Sequence, residues 1–118
     1  MTTTDEPDLP ALDAKYRPLL DAEMRELEQA SDQSGEARRP VTLDQQSVGR
    51  LSRMDALQGQ AMAAALEVRR RGRRARIVAA LHRLETGEYG YCIECGTFIG
   101  TGRLDADPTC ARCTECKS

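Results

Sequence analysis

The sequence predicts an all-α protein in which two helices form an antiparallel hairpin, a coiled coil, followed by a small cysteine-rich module. Three observations support this fold class. Apolar residues recur at helical spacing in two segments, and a stretch rich in Ser, Asp, Gly and Pro separates the segments. Near the C-terminus, cysteines form two Cys-x2-Cys pairs. Because the 118 residues include no Trp, one Phe and three Tyr, we expect a thin core.

The first helix is expected from about Leu12 to Gln33, after an acidic tail at residues 1–10 that is expected to be disordered. Pro18 lacks a backbone N–H, so the regular helix should either kink there or begin there with Pro18 in its first turn. The apolar residues at helical spacing are Leu12, Tyr16, Leu19, Leu20, Met24, Leu27 and Ala30.

The second helix is expected from roughly Gln46 to Glu85, where Thr86 and Gly87 end it. The hairpin therefore covers residues 11–86, with a tip loop around 34–46. Its apolar residues are Val48, Leu51, Met62, Leu66, Ile77, Leu81 and Leu84. At about 1.5 Å per residue, the first helix is roughly 30 Å long and the second roughly 60 Å. We therefore expect the first helix to cover the second only as far as about residue 68.

The charge is divided unevenly along the chain. Residues 1–48 carry a net charge of −6 and residues 49–118 carry +4, so the whole protein has −2. Direct DNA binding is therefore not expected, although a local basic patch remains open. An arginine-rich run occupies residues 69–76; it is either a partner-binding surface or a solvated face, and in the second case acidic N-terminal residues could cover it, namely Asp5, Glu6, Asp8 and Asp13.

Several function classes are not favoured by the composition. The first residues include neither a basic leader nor an apolar segment, so we expect no signal peptide and no membrane span, and a cytoplasmic monomer. His82 is the only histidine, and no carboxylate pair or glycine-rich phosphate loop is recognisable, so we do not expect an enzyme.

The cysteines predict a four-cysteine zinc-finger module at residues 87–118. In a reducing compartment, the pairs Cys92/Cys95 and Cys113/Cys116, 17 residues apart, are typical of a zinc site rather than of disulfides. Four thiolates leave no open position, which favours one structural Zn²⁺ over a catalytic one. Cys110 also lies at pair spacing before Cys113 and could compete with Cys116; as a spare thiol it is either a redox sensor or inert.

Residues 87–116, GEYGYCIECGTFIGTGRLDADPTCARCTEC, resemble the DksA/TraR family of bacterial transcription regulators. The shared features are the Gly-Tyr-Cys entry, both cysteine pairs, Ile99-Gly100, Arg103-Leu104 and Pro108-Thr109. This resemblance implies a hairpin that enters the secondary channel of RNA polymerase while the zinc finger contacts the rim of the enzyme. It also implies regulation without reading of a promoter sequence, often together with the nucleotide ppGpp, and no enzymatic activity.

The resemblance also places candidate contact residues. Relatives carry an Asp at the hairpin tip, with an Ala two residues later, and these positions are held here by Ser52 and Met54. Asp44 or Asp55 could supply a nearby carboxylate, or both could be ordinary polar residues at a helix start.

The resemblance also implies ppGpp or rim contacts. The matching basic positions are Arg69, Arg76 and Lys117, whereas Ala65 and Arg73 depart from the pattern. Arg69, Arg73 and Arg76 line one helix face, which is either a partner-binding surface or a solvated face. Two other functions stay open: a zinc ribbon that binds nucleic acid directly, and a thiol-based redox sensor.

Overall fold

The computed structural model describes residues 8–35 and 50–116, with side chains from residue 52 in the second range. It contains α1 (Leu9–Gln33), α2 (Arg50–Thr86) and the short α3 (Thr101–Ala106). Within these ranges no β-strand is present, and the only sheet-like pairing is an isolated antiparallel bridge. The predicted all-α class, with two long helices packed together, is confirmed. None of the described helices is both long and apolar enough to cross a membrane.

Helix α1 begins earlier than the sequence indicated. Leu9 and Pro10, which we assigned to the disordered tail, form its first turn, where a proline is well tolerated because the N–H groups there have no helical partner. Pro18 lies inside the helix, so the alternative in which the helix begins at Pro18 is wrong. The ring of Pro18 is exposed, and solvent can therefore satisfy the backbone carbonyl that loses its partner.

Helix α2 buries only part of its predicted apolar positions. Ile77 and Leu84 are buried, as is the small Ala80, but Met62 and Leu66 are exposed. In α1, Leu19 is also exposed, whereas its neighbour Leu20 is completely buried. Helical spacing alone therefore overestimated the length of the buried stripe.

The structure divides into two compact units, one formed by Met1–Arg25 with Arg74–Ser118 and the other by Glu26–Arg73. The first unit contains the cysteine module and the large buried side chains. These largest fully buried residues are Tyr16, Tyr89, Leu20, Ile77 and Leu104. This core therefore joins both helices to α3 and to the segment that follows α2.

The second unit has a buried carboxylate between α1 and α2. The Ser31 hydroxyl donates to Glu67 at 3.2 Å, and the guanidinium groups of Arg70 and Arg71 lie 3.3 and 3.4 Å from the same carboxylate. Glu67 is only 5% exposed, so these partners compensate for the loss of hydration of its charge.

The register of the hairpin differs from the one expected. The start of α1 lies beside the end of α2, since Arg17 is 3.8 Å from Glu85, and Ser31 near the end of α1 contacts Glu67. Asp13 is therefore not placed against the arginine-rich run; it pairs with Arg17 at 2.7 Å. The reason is the position of the core, because the buried side chains of α2 begin at Glu67 and continue toward its C-terminus.

Several predicted positions lie outside the described residues. They include Asp5, Glu6, Val48 and most of the tip loop at 34–46, together with the tip candidate Asp44 and the basic residue Lys117.

Candidate metal centre

The first cysteine pair lies in a tight turn held by backbone hydrogen bonds. The Cys92 N–H donates to the Thr97 carbonyl at 2.8 Å, and the Gly96 N–H donates back to the Cys92 carbonyl at 2.9 Å. Gly96 has a φ of +79°, a conformation that residues with a Cβ rarely adopt. The Glu94 N–H donates to the Cys92 sulfur at 3.4 Å, so the backbone of the turn helps to orient this thiol.

Gly90 allows close packing of the cysteine module. Its φ is +91°, and a Cβ added there would lie 3.1 Å from the Phe98 ring and 3.3 Å from Leu12. The Ile99 N–H donates to the Gly90 carbonyl at 2.7 Å, which closes the segment around the first pair. This glycine therefore allows the module to pack closely against the start of α1.

The second cysteine pair is brought to the first by the segment that follows α3. Within that segment the Asp107 carboxylate accepts from both the N–H and the hydroxyl of Thr109, at 3.0 and 2.8 Å. This is a side-chain-to-backbone turn of the kind that Asp favours. The Ile93 N–H then donates to the Ala111 carbonyl at 2.9 Å, which ties the two pairs together.

These contacts bring Cys92, Cys95, Cys113 and Cys116 into one cluster. Their four Sγ atoms all lie within 4.8 Å of one another, and Cys95 and Cys113 are 3.6 Å apart. A tetrahedral zinc with Zn–S bonds of about 2.3 Å requires sulfurs about 3.8 Å apart. The donor set and its spacing therefore fit a zinc ion.

The thiols of this cluster influence one another electrostatically. Burial opposes ionisation of Cys92, but backbone N–H donors of the two turns outweigh it and lower the pKa of this thiol to about 6. The N–H of Cys116 lowers the pKa of Cys113. Hydrogen bonding to the neighbouring sulfurs raises the pKa of Cys116, with the largest contribution from Cys113. Four sulfurs this close cannot all be anionic on their own, and a divalent cation would replace the remaining protons.

Cys110 is not part of this cluster. Its thiol donates to the Arg112 carbonyl at 3.2 Å and accepts from the Arg103 guanidinium at 3.4 Å. The structure therefore places Cys116, and not Cys110, beside Cys113.

Two buried tyrosines meet where the cysteine module contacts α1, and this role was not predicted from the sequence: Tyr16 belongs to α1 and Tyr89 to the module. The Tyr16 hydroxyl on α1 donates to the Asp105 carboxylate at 2.6 Å, and the Tyr89 hydroxyl donates to the Pro108 carbonyl at 2.6 Å. The centroids of the two tyrosine rings are 5.7 Å apart. Lys15 adds an exposed ion pair to Asp105 at 2.9 Å. The scarcity of aromatic residues could have indicated this role, because a thin core with few large side chains depends on each aromatic ring that it buries.

The candidate arginines on α2 lie in different surroundings. Arg69 is exposed, Arg73 is half-buried, and Arg76 is exposed and forms an ion pair with Asp107 at 3.1 Å. The structure therefore connects Arg76 with the cysteine module. Arg83, which the sequence analysis did not single out, donates to the Thr109 carbonyl at 3.5 Å.

The described tip candidates lie in the first part of α2. Ser52 and Asp55 are exposed, and Met54 is 56% exposed. Leu57 nearby is also exposed. These side chains are therefore free of the buried core of the second unit.

Comparison with known proteins identifies the module. Residues 87–118 match the family model of the prokaryotic dksA/traR C4-type zinc finger. The RNA polymerase-binding transcription factor DksA of Haemophilus influenzae is 42% identical over 57 residues, and the protein of the same description from Caulobacter vibrioides is 46% identical over 55 residues. These alignments cover 45% and 43% of this chain, but only 39% of either relative.

A solved structure extends the similarity beyond the finger. The transcription factor DksA2 from Pseudomonas aeruginosa matches with a TM-score of 0.73 and 29% identity, over 93% of this chain and 86% of that protein. The similarity therefore includes the helices as well as the cysteine module. The C-terminal module therefore matches the zinc finger of the dksA/traR type, and most of the chain resembles DksA2 in fold.

Proposed function

We propose that this protein is a transcription regulator that binds bacterial RNA polymerase. The observation that carries the proposal is the match to DksA2 over 93% of the chain, which includes the helices and the finger together. The names of the curated relatives, which describe RNA polymerase binding, support it. A cytoplasmic location, a monomeric state and the absence of catalysis follow from this proposed role.

The proposed mode of binding uses the hairpin as a probe of the secondary channel, without reading of DNA sequence. The exposed side chains of Ser52, Met54 and Asp55 on α2 support this, since they remain available for contact. Ser52 stands where relatives carry an acidic tip residue, so we propose that Asp55 provides the carboxylate near the catalytic centre, with Asp44 as the other candidate.

Participation of ppGpp is a finer part of the proposal. The other candidates on α2 are the exposed Arg69 and the half-buried Arg73, and Lys117 is a further candidate. Arg76 is already paired with Asp107, so a nucleotide phosphate would have to compete with this carboxylate for it. We therefore expect ppGpp to bind weakly unless polymerase supplies further contacts.

For the finger, we propose one structural zinc ion held by Cys92, Cys95, Cys113 and Cys116. The ion would supply the cross-link that orders the C-terminal segment, whose few apolar residues bury little area. The hydroxyl of Tyr16 and the contact between the Tyr16 and Tyr89 rings would hold the ordered finger against α1, while the Tyr89 hydroxyl braces the finger itself through Pro108. The zinc would therefore have a structural role and no catalytic one.

Co-purification with bacterial RNA polymerase core tests the proposal. The zinc-loaded protein should associate with core enzyme at low salt and change the lifetime of open complexes on a promoter. Asp55→Ala, alone and with Asp44→Ala, should keep the association but reduce the effect on lifetime. Glu26→Ala, which removes an exposed carboxylate from α1, is the matched control and should change neither.

The two alternatives give different results in the same experiments. Lack of any polymerase association would remove the main proposal. Tight binding to naked DNA with a steep salt dependence would favour a nucleic-acid-binding zinc ribbon. A thiol sensor would change its binding on mild oxidation, and Cys110→Ser would abolish that response.

A further inference from the structure

Thr97 lies beside the sulfur of the most exposed cysteine in the metal centre. Of the four clustered cysteines, Cys92 is buried, Cys113 and Cys116 are half-buried, and Cys95 is exposed. The Thr97 hydroxyl lies 2.9 Å from the Cys95 sulfur, which is hydrogen-bond distance. The sulfur that solvent reaches most easily is therefore the one with a hydroxyl next to it.

The backbone of the first cysteine turn holds Thr97 in place for this contact. The Thr97 carbonyl accepts the Cys92 N–H at 2.8 Å, and an antiparallel bridge joins the next residue, Phe98, to Tyr91. Because Thr is branched at Cβ, rotation of its side chain about χ1 is also restricted. The position of the hydroxyl is therefore set by contacts that do not depend on the Cys95 sulfur.

The direction of the hydrogen bond follows from the chemistry of metal binding. A cysteine that binds zinc does so as a thiolate, which has no proton to donate. The Thr97 hydroxyl would then be the donor, and a hydrogen bond to an ionised acceptor is stronger than one between neutral groups. The Cys92 sulfur accepts instead from a backbone N–H, that of Glu94, at 3.4 Å. Unlike that backbone contact, the Thr97 contact can be removed by changing one side chain.

We propose that Thr97 is a positioning residue of the metal centre, whose hydroxyl donates to the Cys95 thiolate and so strengthens the binding of zinc. The inference rests on the zinc ion proposed above and not on polymerase binding. Hydrogen bonds to metal ligands orient them, and loss of such a bond typically weakens metal binding by about 10–100-fold. Because water can partly replace the hydroxyl at an exposed sulfur, we expect the lower end of this range.

The zinc affinity of the full-length protein, measured by competition with a chromophoric chelator, tests this role. Thr97→Val removes the hydroxyl, keeps the branched shape at an exposed position, and should weaken zinc binding about tenfold. Thr97→Ser keeps a hydroxyl and should restore most of the affinity. The matched control is Thr114→Val, which makes the same change within the second cysteine pair. Thr114 is exposed and its hydroxyl has no hydrogen bond among the described residues, so the affinity should not change.

Substitution of zinc by Co²⁺ shows whether the hydroxyl acts on the sulfur itself. Thiolate-bound Co²⁺ absorbs light by transferring charge from sulfur to metal, and a hydrogen bond to the sulfur moves this band to higher energy. Thr97→Val should therefore move the band to lower energy, Thr97→Ser should move it back, and Thr114→Val should leave it in place. A hydroxyl that only braced the turn would affect stability without moving the band.

The possible failures can be told apart. If circular dichroism at saturating zinc shows that Thr97→Val is not folded, Thr97→Ala takes its place, since it also lacks the hydroxyl and adds no bulk. Unchanged zinc affinity, an unmoved cobalt band, or a failure of Thr97→Ser to restore either would overturn the role of Thr97. If the unsubstituted protein bound no stoichiometric zinc, the proposed zinc ion would be wrong and this inference would be wrong with it.

Discussion

Tyr89→Phe should destabilise the protein by removing one hydroxyl and nothing else. The Tyr89 side chain is completely buried, and its hydroxyl donates to the Pro108 carbonyl at 2.6 Å. A hydrogen bond of this kind contributes about 1 kcal/mol net, and an acceptor left unpaired can raise the cost to about 2 kcal/mol. The ring itself stays, so its contact with Tyr16 at 5.7 Å is kept.

For a chain of this size, that loss corresponds to a fall of roughly 5 °C in the midpoint of thermal unfolding. The assay is circular dichroism of the zinc-loaded protein, supported by urea unfolding. Tyr91→Phe is the matched control, because Tyr91 is only partly buried and its hydroxyl has no hydrogen bond among the described residues. An equal midpoint for the two variants would refute the view that the Tyr89 hydroxyl stabilises the fold through its bond to Pro108.

The same tyrosine predicts a dependence on alkaline pH. Burial raises the pKa of Tyr89 in the folded protein above its ordinary value of 10.0. Its contribution to stability is therefore fully present below pH 10 and is lost progressively as pH rises further, because the unfolded chain gives up the phenolic proton first. Unfolding midpoints measured from pH 8 upward should show this loss, and Tyr89→Phe should reduce it.

Three further predictions concern the finger. Chelation of zinc should abolish the ordered signals of the finger in amide NMR spectra. Cys116→Ser should have the same effect, whereas Cys110→Ser should not. Equal effects of these two substitutions would contradict the ligand assignment. Leu104→Ala should cost about 2–5 kcal/mol in urea unfolding, because this side chain is completely buried. Hydrogen bonding from Tyr16 lowers the pKa of Asp105, so its contribution to stability is present above pH 3.8 and is lost as pH falls further; Tyr16→Phe should weaken this acid dependence.

Local patterns in the sequence predicted the elements well. The helical spacing and the turn chemistry near Thr86 and Gly87 indicated where α2 ends, and the cysteine spacing indicated which thiols lie together in the structure. Both signals depend on residues that are close in sequence. Pro18 was less informative, since a proline exposed to solvent can remain within a helix.

Contacts between distant residues were not predictable in the same way. The exposure of Met62 and Leu66 depends on where α1 ends along α2, and helical spacing carries no information about that. Tyr16 meets Asp105, 89 positions away, only because the finger folds back on the helices. The ion pair of Arg76 with Asp107, 31 positions away, likewise has no signature in any one segment.

The tyrosine contacts also limit how this protein can be recombined with its relatives. The family match begins at residue 87, which suggests Gly87 as a natural point for exchanging fingers between proteins. A junction there would separate each transplanted finger from the helix surface that it evolved to fit. A hybrid that takes both its residues up to position 25 and its residues from Arg74 onward from the same protein would keep both sides of that contact. We expect such hybrids to fold.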